Sequence, residues 1–180
     1  MIYEPREDSY LLQEQVKKYA KGKVLDIGTG SGIQAETAKE QGAEVLAADI
    51  NPECVEHVKN KGINIIQSDL FSNIKDKFDL IIFNPPYLPE EPLEPKDSSL
   101  STTGGKKGNE ILEKFLSQSK DYLNENGKIL IVVSSLTPDV EKLIEKYNFK
   151  HKKLSEQNLP FFEKLIVYLL ETGITLSEIK

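Results

Sequence analysis

A glycine-rich turn between a short apolar segment and an amphipathic one constrains the fold most strongly. Residues 23–27 (KVLDI) have the apolar character of a buried strand, and Gly28, Gly30 and Gly32 follow at alternate positions. Glycines let a backbone turn sharply and approach a ligand closely. Residues 33–41 then have the composition of a helix, so the order is strand, turn, helix. This order predicts an α/β fold built on a mainly parallel sheet.

The same alternation continues along the chain. Hydrophobic periodicity predicts helices over residues 7–20, 33–41, 52–62, 109–123 and 138–147, and strands over 23–27, 44–49, 63–66, 78–83, 128–134, 149–154 and 161–170. The close spacing of the last two strands indicates an antiparallel pair. No repeat or linker interrupts the pattern, so we expect a single domain over residues 1–180. Ligands of such sheets bind at the carboxyl ends of the strands.

Acidic residues lie at the strand ends that face this edge. Asp26 precedes the glycine turn, Asp49 ends the second predicted strand, and Asp69 follows the third. The dinucleotide motif G-x-G-x-x-G would need glycine where Ile33 stands, and a carboxylate beside the turn would repel a pyrophosphate. That carboxylate suits the ammonium and sulfonium of S-adenosylmethionine, and Asp49 suits ribose hydroxyls. We therefore predict S-adenosylmethionine as the cofactor, with Asp69 accepting from the adenine amino group.

The fourth predicted strand ends in the tetrapeptide Asn84-Pro85-Pro86-Tyr87. The prolines stiffen the turn and remove backbone donors, which leaves the Pro85 carbonyl as an acceptor beside the Asn84 side-chain oxygen. Two acceptors that converge on one NH2 group suit a planar amide or exocyclic amine, and Tyr87 offers a flat face for stacking. The sequence therefore predicts N-methylation that depends mainly on positioning the reactants in line. Residues 88–107, rich in Pro, Ser and Gly, are predicted to form a substrate loop.

Charge and composition narrow the substrate class. The net charge of −6 disfavours nucleic acid as substrate, because binding to it depends on phosphate neutralisation. No apolar run approaches the length of a membrane span, and residues 1–8 lack the pattern of a secretory signal. The single cysteine, Cys54, is predicted to be a small buried residue of a helix. We therefore expect a cytoplasmic enzyme that does not bind a membrane.

Several motifs together resemble class I methyltransferases with an N-P-P-Y motif, and among them the HemK family of protein N5-glutamine methyltransferases. Residues 3–9 (YEPREDS) are similar to the Y-x-P-x-E-D-[ST] signature of the short archaeal and eukaryotic branch, which lacks a separate N-terminal domain. Residues 49–52 (DINP) are similar to its D-I-N-P element. Residues 104–110 (GGKKGNE) resemble its G-G-x-x-G-[RK]-E segment, with Asn109 in place of a basic residue. The resemblance extends from residue 1 to about residue 170.

This resemblance implies a Rossmann-like class I methyltransferase fold. It implies a mainly parallel seven-stranded sheet with an antiparallel last strand, helices on both faces, and a helical cover over the cofactor from residues 1–22. The residues implied to bind the cofactor are Ser9, Asp26, Gly28, Gly30, Gly32, Asp49, Ile50, Asp69, Leu70 and Asn84. Those implied to hold the acceptor amide are Asn84, Pro85, Pro86 and Tyr87, and no metal site is implied.

The family's substrate is the glutamine of the Gly-Gly-Gln motif in class-1 translation release factors. Members of this branch are often activated by a small zinc-binding partner that pairs with the third strand, which here would be residues 63–66. Two alternatives stay open. The N-P-P-Y motif is shared with adenine-N6 DNA and RNA methyltransferases, and the fold could also serve a non-catalytic subunit that binds a partner.

Overall fold

The computed structural model describes residues 2–86 and 108–173. The helices are α1 (Glu7–Tyr19), α2 (Ile33–Glu40), α3 (Pro52–Asn60), α4 (Glu110–Ser119) and α5 (Val140–Lys146). The strands are β1 (Lys23–Ile27), β2 (Glu44–Asp49), β3 (Ile65–Gln67), β4 (Phe78–Phe83), β5 (Leu123–Ser134), β6 (Phe149–Asn158) and β7 (Lys164–Thr172). Tyr87 and the predicted substrate loop over residues 88–107 lie outside the described residues.

The strands form one sheet in the order β3-β2-β1-β4-β5-β7-β6. Strands β1 to β5 pair in parallel, while β7 pairs antiparallel with both β5 and β6. The predicted seven-stranded sheet with an antiparallel last strand is confirmed. Because β6 is antiparallel to β7, its carboxyl end lies at the same edge of the sheet as those of β1, β4 and β5.

Helices cover both faces of this sheet, as predicted. On one face, α1 and α2 bury the apolar side chains of Val24, Leu80 and Ile82. On the other, α4 and α5 pack over the alternate side chains of the same strands, such as Leu25 and Ile81. Strands that are buried on both faces show nearly unbroken apolar runs, which explains why the bounds of β1, β2 and β4 could be predicted residue by residue.

The starts of β3 and β5 differ from the prediction. Strand β3 begins at Ile65 rather than at residue 63, because Ile63 is buried in a small cluster with Ala35 and Val58 instead of joining the ladder. Strand β5 begins at Leu123 rather than at residue 128, because its first residue pairs with Phe78 before a register shift. The preceding helix therefore ends at Ser119, and a short 3-10 turn, Lys120–Tyr122, replaces its predicted last turn.

The prediction of a strand over residues 161–170 is wrong at its beginning. Phe161 and Phe162 lie in the turn between β6 and β7, with φ values of 60° and 64°. Left-handed backbone cannot continue a strand ladder, so β7 begins only at Lys164. Strand β6 extends to Asn158, beyond its predicted end at residue 154, and completes a long hairpin with β7.

Candidate active site

The carboxyl ends of three neighbouring strands bring the predicted site residues together. In the register of the sheet, Ile27 at the end of β1 lies beside Ala48 of β2 and Phe83 of β4. The glycine turn follows Ile27 directly, and Asp49 and Asn84 each come one residue after the paired positions. The predicted cofactor and acceptor groups therefore converge at one edge of the sheet.

The glycine turn is folded tightly against the end of β2. Gly28 and Gly30 have left-handed φ values of 63° and 55°, which side chains rarely adopt. The backbone N–H groups of Gly28 and Thr29 both donate to the Ala48 carbonyl, at 2.8 and 3.1 Å. Gly32 has a packing role, because a Cβ atom there would lie 2.9 Å from a methyl group of Val58 on α3.

Asp49 is held by backbone donors on two sides. One carboxylate oxygen accepts from the N–H of Gly30 at 2.9 Å, and the other accepts from the N–H of Asn51 at 2.9 Å. Burial raises the pKa of Asp49 above its ordinary value, while these backbone hydrogen bonds lower it. The next side chain, Ile50, is 47% exposed and offers an apolar surface beside the carboxylate. A carboxylate next to an apolar surface suits a nucleoside, which combines a polar ribose with a flat base.

Asp26 is a buried carboxyl group that forms no ion pair within the part of the chain that the structure describes. Its side chain is 2% exposed and accepts from the Thr29 hydroxyl at 2.6 Å. The pKa of Asp26 is raised to about 7, chiefly by burial and also by the nearby charge of Asp49, against the lowering effect of the Thr29 hydrogen bond. Within the described ranges, no Lys or Arg forms an ion pair with this carboxyl group. A cationic ligand would stabilise its ionised form.

Asn84 is anchored to the N-terminal segment through Asp8. The Asn84 Nδ2 atom donates to Asp8 Oδ2 at 3.0 Å, and the Tyr3 hydroxyl donates to the same oxygen at 3.0 Å. The other oxygen of Asp8 accepts from the backbone N–H and hydroxyl of Ser9, at 2.6 and 3.2 Å. An ionised carboxylate only accepts hydrogen bonds, so the amide nitrogen of Asn84 must face Asp8. Its oxygen is thereby turned away from Asp8, where it can accept from a ligand.

Asp8 is a candidate site residue that the sequence analysis did not single out. It is 3% exposed, and its bond to Asn84 joins residues 76 positions apart in the chain. The Y-x-P-x-E-D-[ST] signature contains this position, but the resemblance implied only a role in covering the cofactor. The spacing within the signature could not show that Asp8 orients the amide of the N-P-P-Y motif.

The remaining predicted positions surround this core. Pro85 is buried and Pro86 is half-buried, directly after Asn84. Asp69 is exposed, and its carboxylate forms an ion pair with Lys114 of α4 at 2.7 Å. Leu70 is buried and has a left-handed φ of 48°.

Among the described residues, no cluster of His, Cys, Asp and Glu could hold a metal ion. None of the helices described is both long and apolar enough to cross a membrane.

Comparison with known proteins decides the family. Residues 7–161 match the methyltransferase small domain. The chain belongs to the methyltransferase small domain family. This methyltransferase is 37% identical to a provisionally named protein N5-glutamine methyltransferase of Methanocaldococcus jannaschii, over 92% of this chain and 90% of that protein. It is 34% identical to the release factor glutamine methyltransferase of Borreliella burgdorferi, over 83% of this chain but only 59% of the longer relative.

Solved structures agree with this assignment at the level of the fold. The methyltransferase superposes, with a TM-score of 0.78, on one chain in the structure of the E. cuniculi Mtq2-Trm112 complex, which is responsible for methylation of the eRF1 translation termination factor. The match covers 96% of this chain and 99% of that chain, at 24% identity. The predicted class I methyltransferase fold is therefore confirmed for the described residues.

Proposed function

We propose that this methyltransferase transfers a methyl group from S-adenosylmethionine to the glutamine amide of the Gly-Gly-Gln motif in a class-1 translation release factor. The observation that carries the proposal is the Asn84 amide, which Asp8 holds at the carboxyl end of β4 beside a glycine turn flanked by carboxylates. The relatives named for glutamine methylation support the choice of substrate.

The charge and shape of the first two strand ends fit the cofactor. Among residues 2–86 and 108–173, the buried Asp26 pairs with no Lys or Arg, which suits the ammonium of the methionine moiety. Ser9 and the turn of Gly28, Gly30 and Gly32 would hold the same moiety. Asp49 would hold the ribose, and exposed Ile50 would cover one face of the adenine, with Asp69 and Leu70 beside it. When bound, the cofactor supplies an electrophilic methyl group on a sulfonium. Residues 2–22 would cover it.

The acceptor groups act on the amide nitrogen that receives the methyl. The Asn84 oxygen and the Pro85 carbonyl would accept its two hydrogens, and Tyr87 and Pro86 would confine its plane. These hydrogen bonds orient the nitrogen and stabilise positive charge as its bond to the methyl carbon forms. Asp8 is an unsuitable general base, because both of its oxygens already accept hydrogen bonds within the protein. The proton leaves to solvent after transfer.

The substrate class can be tested with labelled S-adenosylmethionine. We expect label on a release factor, and none on DNA or RNA incubated under the same conditions. A factor whose Gly-Gly-Gln glutamine is replaced by asparagine is the matched control and should stay unlabelled. Label on nucleic acid alone would show an adenine-N6 methyltransferase instead. If the protein neither binds the cofactor nor transfers methyl with its partner present, the reading as a non-catalytic subunit would replace this one.

We further propose that a small zinc-binding partner pairs with the free side of β3, where residues 63–66 were predicted to bind it. Strand β3 is at the edge of the sheet, and Ile65 and Ile66 are only half-buried. An unpaired apolar strand edge is a template for adding a strand from another chain. Replacing Ile66 with Lys should prevent copurification of the partner, while Lys at exposed Glu56 of α3 should not. Unchanged copurification of the Ile66→Lys variant would contradict this interface.

A further inference from the structure

The turn between β6 and β7 carries two phenylalanines that the fold leaves entirely in solvent. Phe161 and Phe162 are 96% and 101% exposed, although most large apolar side chains of the described chain are buried. Both have left-handed φ values, the backbone for which hairpin turns ordinarily use Asn and Gly. Bulky residues are strained there, and strain of this kind concentrates at functional positions. Neither packing nor turn geometry accounts for a Phe-Phe pair at this tip.

The flanks of the tip are firmly fixed. The N–H of Leu159 donates to the carbonyl of Glu163 at 2.8 Å and closes the turn. The Glu163 carboxylate accepts from the Ser134 hydroxyl at 2.6 Å, and the N–H of Lys164 donates to the Ser135 hydroxyl at 2.9 Å. Ser134 ends β5 and Ser135 follows it, so the tip is anchored to the end of a central strand. The two rings are therefore presented on a rigid support.

The register of the sheet places the β6–β7 turn at the same edge of the sheet as Asn84. Asn84 is level with Val132 of β5, because Phe83 pairs with Ile131. Leu165 pairs with Ser134, two residues farther along β5, and the tip extends beyond that level. Strand β7 is two strands away from β4. From strand spacing and rise, the backbone of the tip lies roughly 20 Å from Asn84 and projects past the same edge.

Local charges favour a protein as the occupant. Lys164 at the base of the tip and Lys153 farther along β6 both pair with Glu156, at 3.2 and 2.8 Å. Phosphate groups of nucleic acid or lipid would have to compete with this carboxylate. Aromatic residues that project from a rigid support are the side chains that most often anchor protein interfaces.

We propose that Phe161 and Phe162 form a docking tip for the body of the protein substrate, and that they raise affinity for the folded factor rather than assist methyl transfer. This inference rests on the proposed function, since the occupant is the protein that carries the methylated glutamine. The tip binds an apolar depression on that protein while its Gly-Gly-Gln loop reaches Asn84.

The test uses the double variant Phe161→Asn/Phe162→Gly, which removes both rings and gives the turn its preferred residues. Its melting temperature should equal or exceed that of the wild type, so loss of folding cannot explain a defect. With the partner protein present, KM for the release factor should rise about tenfold or more, with kcat unchanged. With a short peptide that carries only the Gly-Gly-Gln motif, kcat/KM should match the wild type.

Each other outcome overturns the docking proposal. Equal KM values for the folded factor would show that the tip does not dock it. An equal loss of kcat/KM with the folded factor and with the peptide would show that the rings act on the methyl-transfer step. A change only in oligomeric state or in vesicle binding would assign the tip to a second copy or to a membrane. A wild type inactive on the factor would overturn the proposed function as well, whereas an active wild type matched by the variant overturns the docking tip alone.

Discussion

Replacing Asn84 with alanine should abolish methyl transfer while leaving cofactor binding close to wild type. The substitution removes the side-chain oxygen that we propose accepts from the acceptor nitrogen, together with the amide that donates to Asp8. Loss of one such preorganised group lowers kcat by about 10²–10³-fold in enzymes that depend on positioned dipoles. Asp8 keeps its hydrogen bonds with Tyr3 and Ser9, so the N-terminal segment should stay in place. Single-turnover methylation and calorimetric cofactor titration measure the two effects separately.

Asn124→Ala is the matched control for this variant. Asn124 lies near the start of β5, at the opposite edge of the sheet, where its amide donates to Asp79 at 2.8 Å. It should transfer methyl at the wild-type rate. A substantial rate in Asn84→Ala would mean that this side chain does not hold the acceptor, and a parallel loss of cofactor affinity would mean that its role lies in cofactor binding.

The second large effect is expected for Asp26→Asn, which should weaken S-adenosylmethionine binding by about 10- to 100-fold at pH 8. A hydrogen bond to a charged group contributes about 1.5–3 kcal/mol, and the amide cannot balance the ligand's ammonium. Asparagine keeps the volume of the side chain and can still bond to Thr29. Cofactor titration measures the change, with Asp76→Asn as control, because that carboxylate lies in an exposed ion pair with Lys23.

The pH dependence of binding distinguishes the charge of Asp26 from its shape. Burial raises the pKa of the free carboxyl group to about 7, and a cationic ligand binds its ionised form. Below that pKa, binding must first remove a proton, so wild-type affinity should fall as the pH falls, by about tenfold from pH 8 to pH 6. Asp26→Asn should lose this dependence near neutral pH. A wild-type affinity that is flat across this range would contradict the assigned role.

The central strands could be predicted from sequence because burial on both faces requires apolar side chains at most of their positions. The bounds of β1, β2 and β4 follow from their apolar runs. The edge and the irregular strands could not be predicted as well. The start of β5 depends on a register shift opposite Phe78, and Ile63 is apolar for packing against helices rather than for pairing. Neither the register shift nor the packing against helices can be recognised from local sequence patterns, because both depend on tertiary contacts.

The candidate site likewise has features that local sequence predicts and features that depend on tertiary contacts. That Asp26, Asp49 and Asn84 lie close together could be predicted, because each stands near the end of a recognisable strand and parallel pairing brings such ends together. The hydrogen bond between Asp8 and Asn84 could not be predicted, since it depends on how α1 docks beside β4. Phe161 and Phe162 looked like the beginning of a buried strand by composition. Only the backbone of the turn shows that they are exposed.

Mass spectrometry of a release factor incubated with this methyltransferase and S-adenosylmethionine tests the central claim most directly. We expect the peptide that contains the Gly-Gly-Gln motif to gain the mass of one methyl substitution, located by fragmentation on the glutamine, and absent when Asn84→Ala replaces the wild type. An unmodified glutamine, together with methyl transfer to nucleic acid or to another residue under the same conditions, would contradict the proposed function.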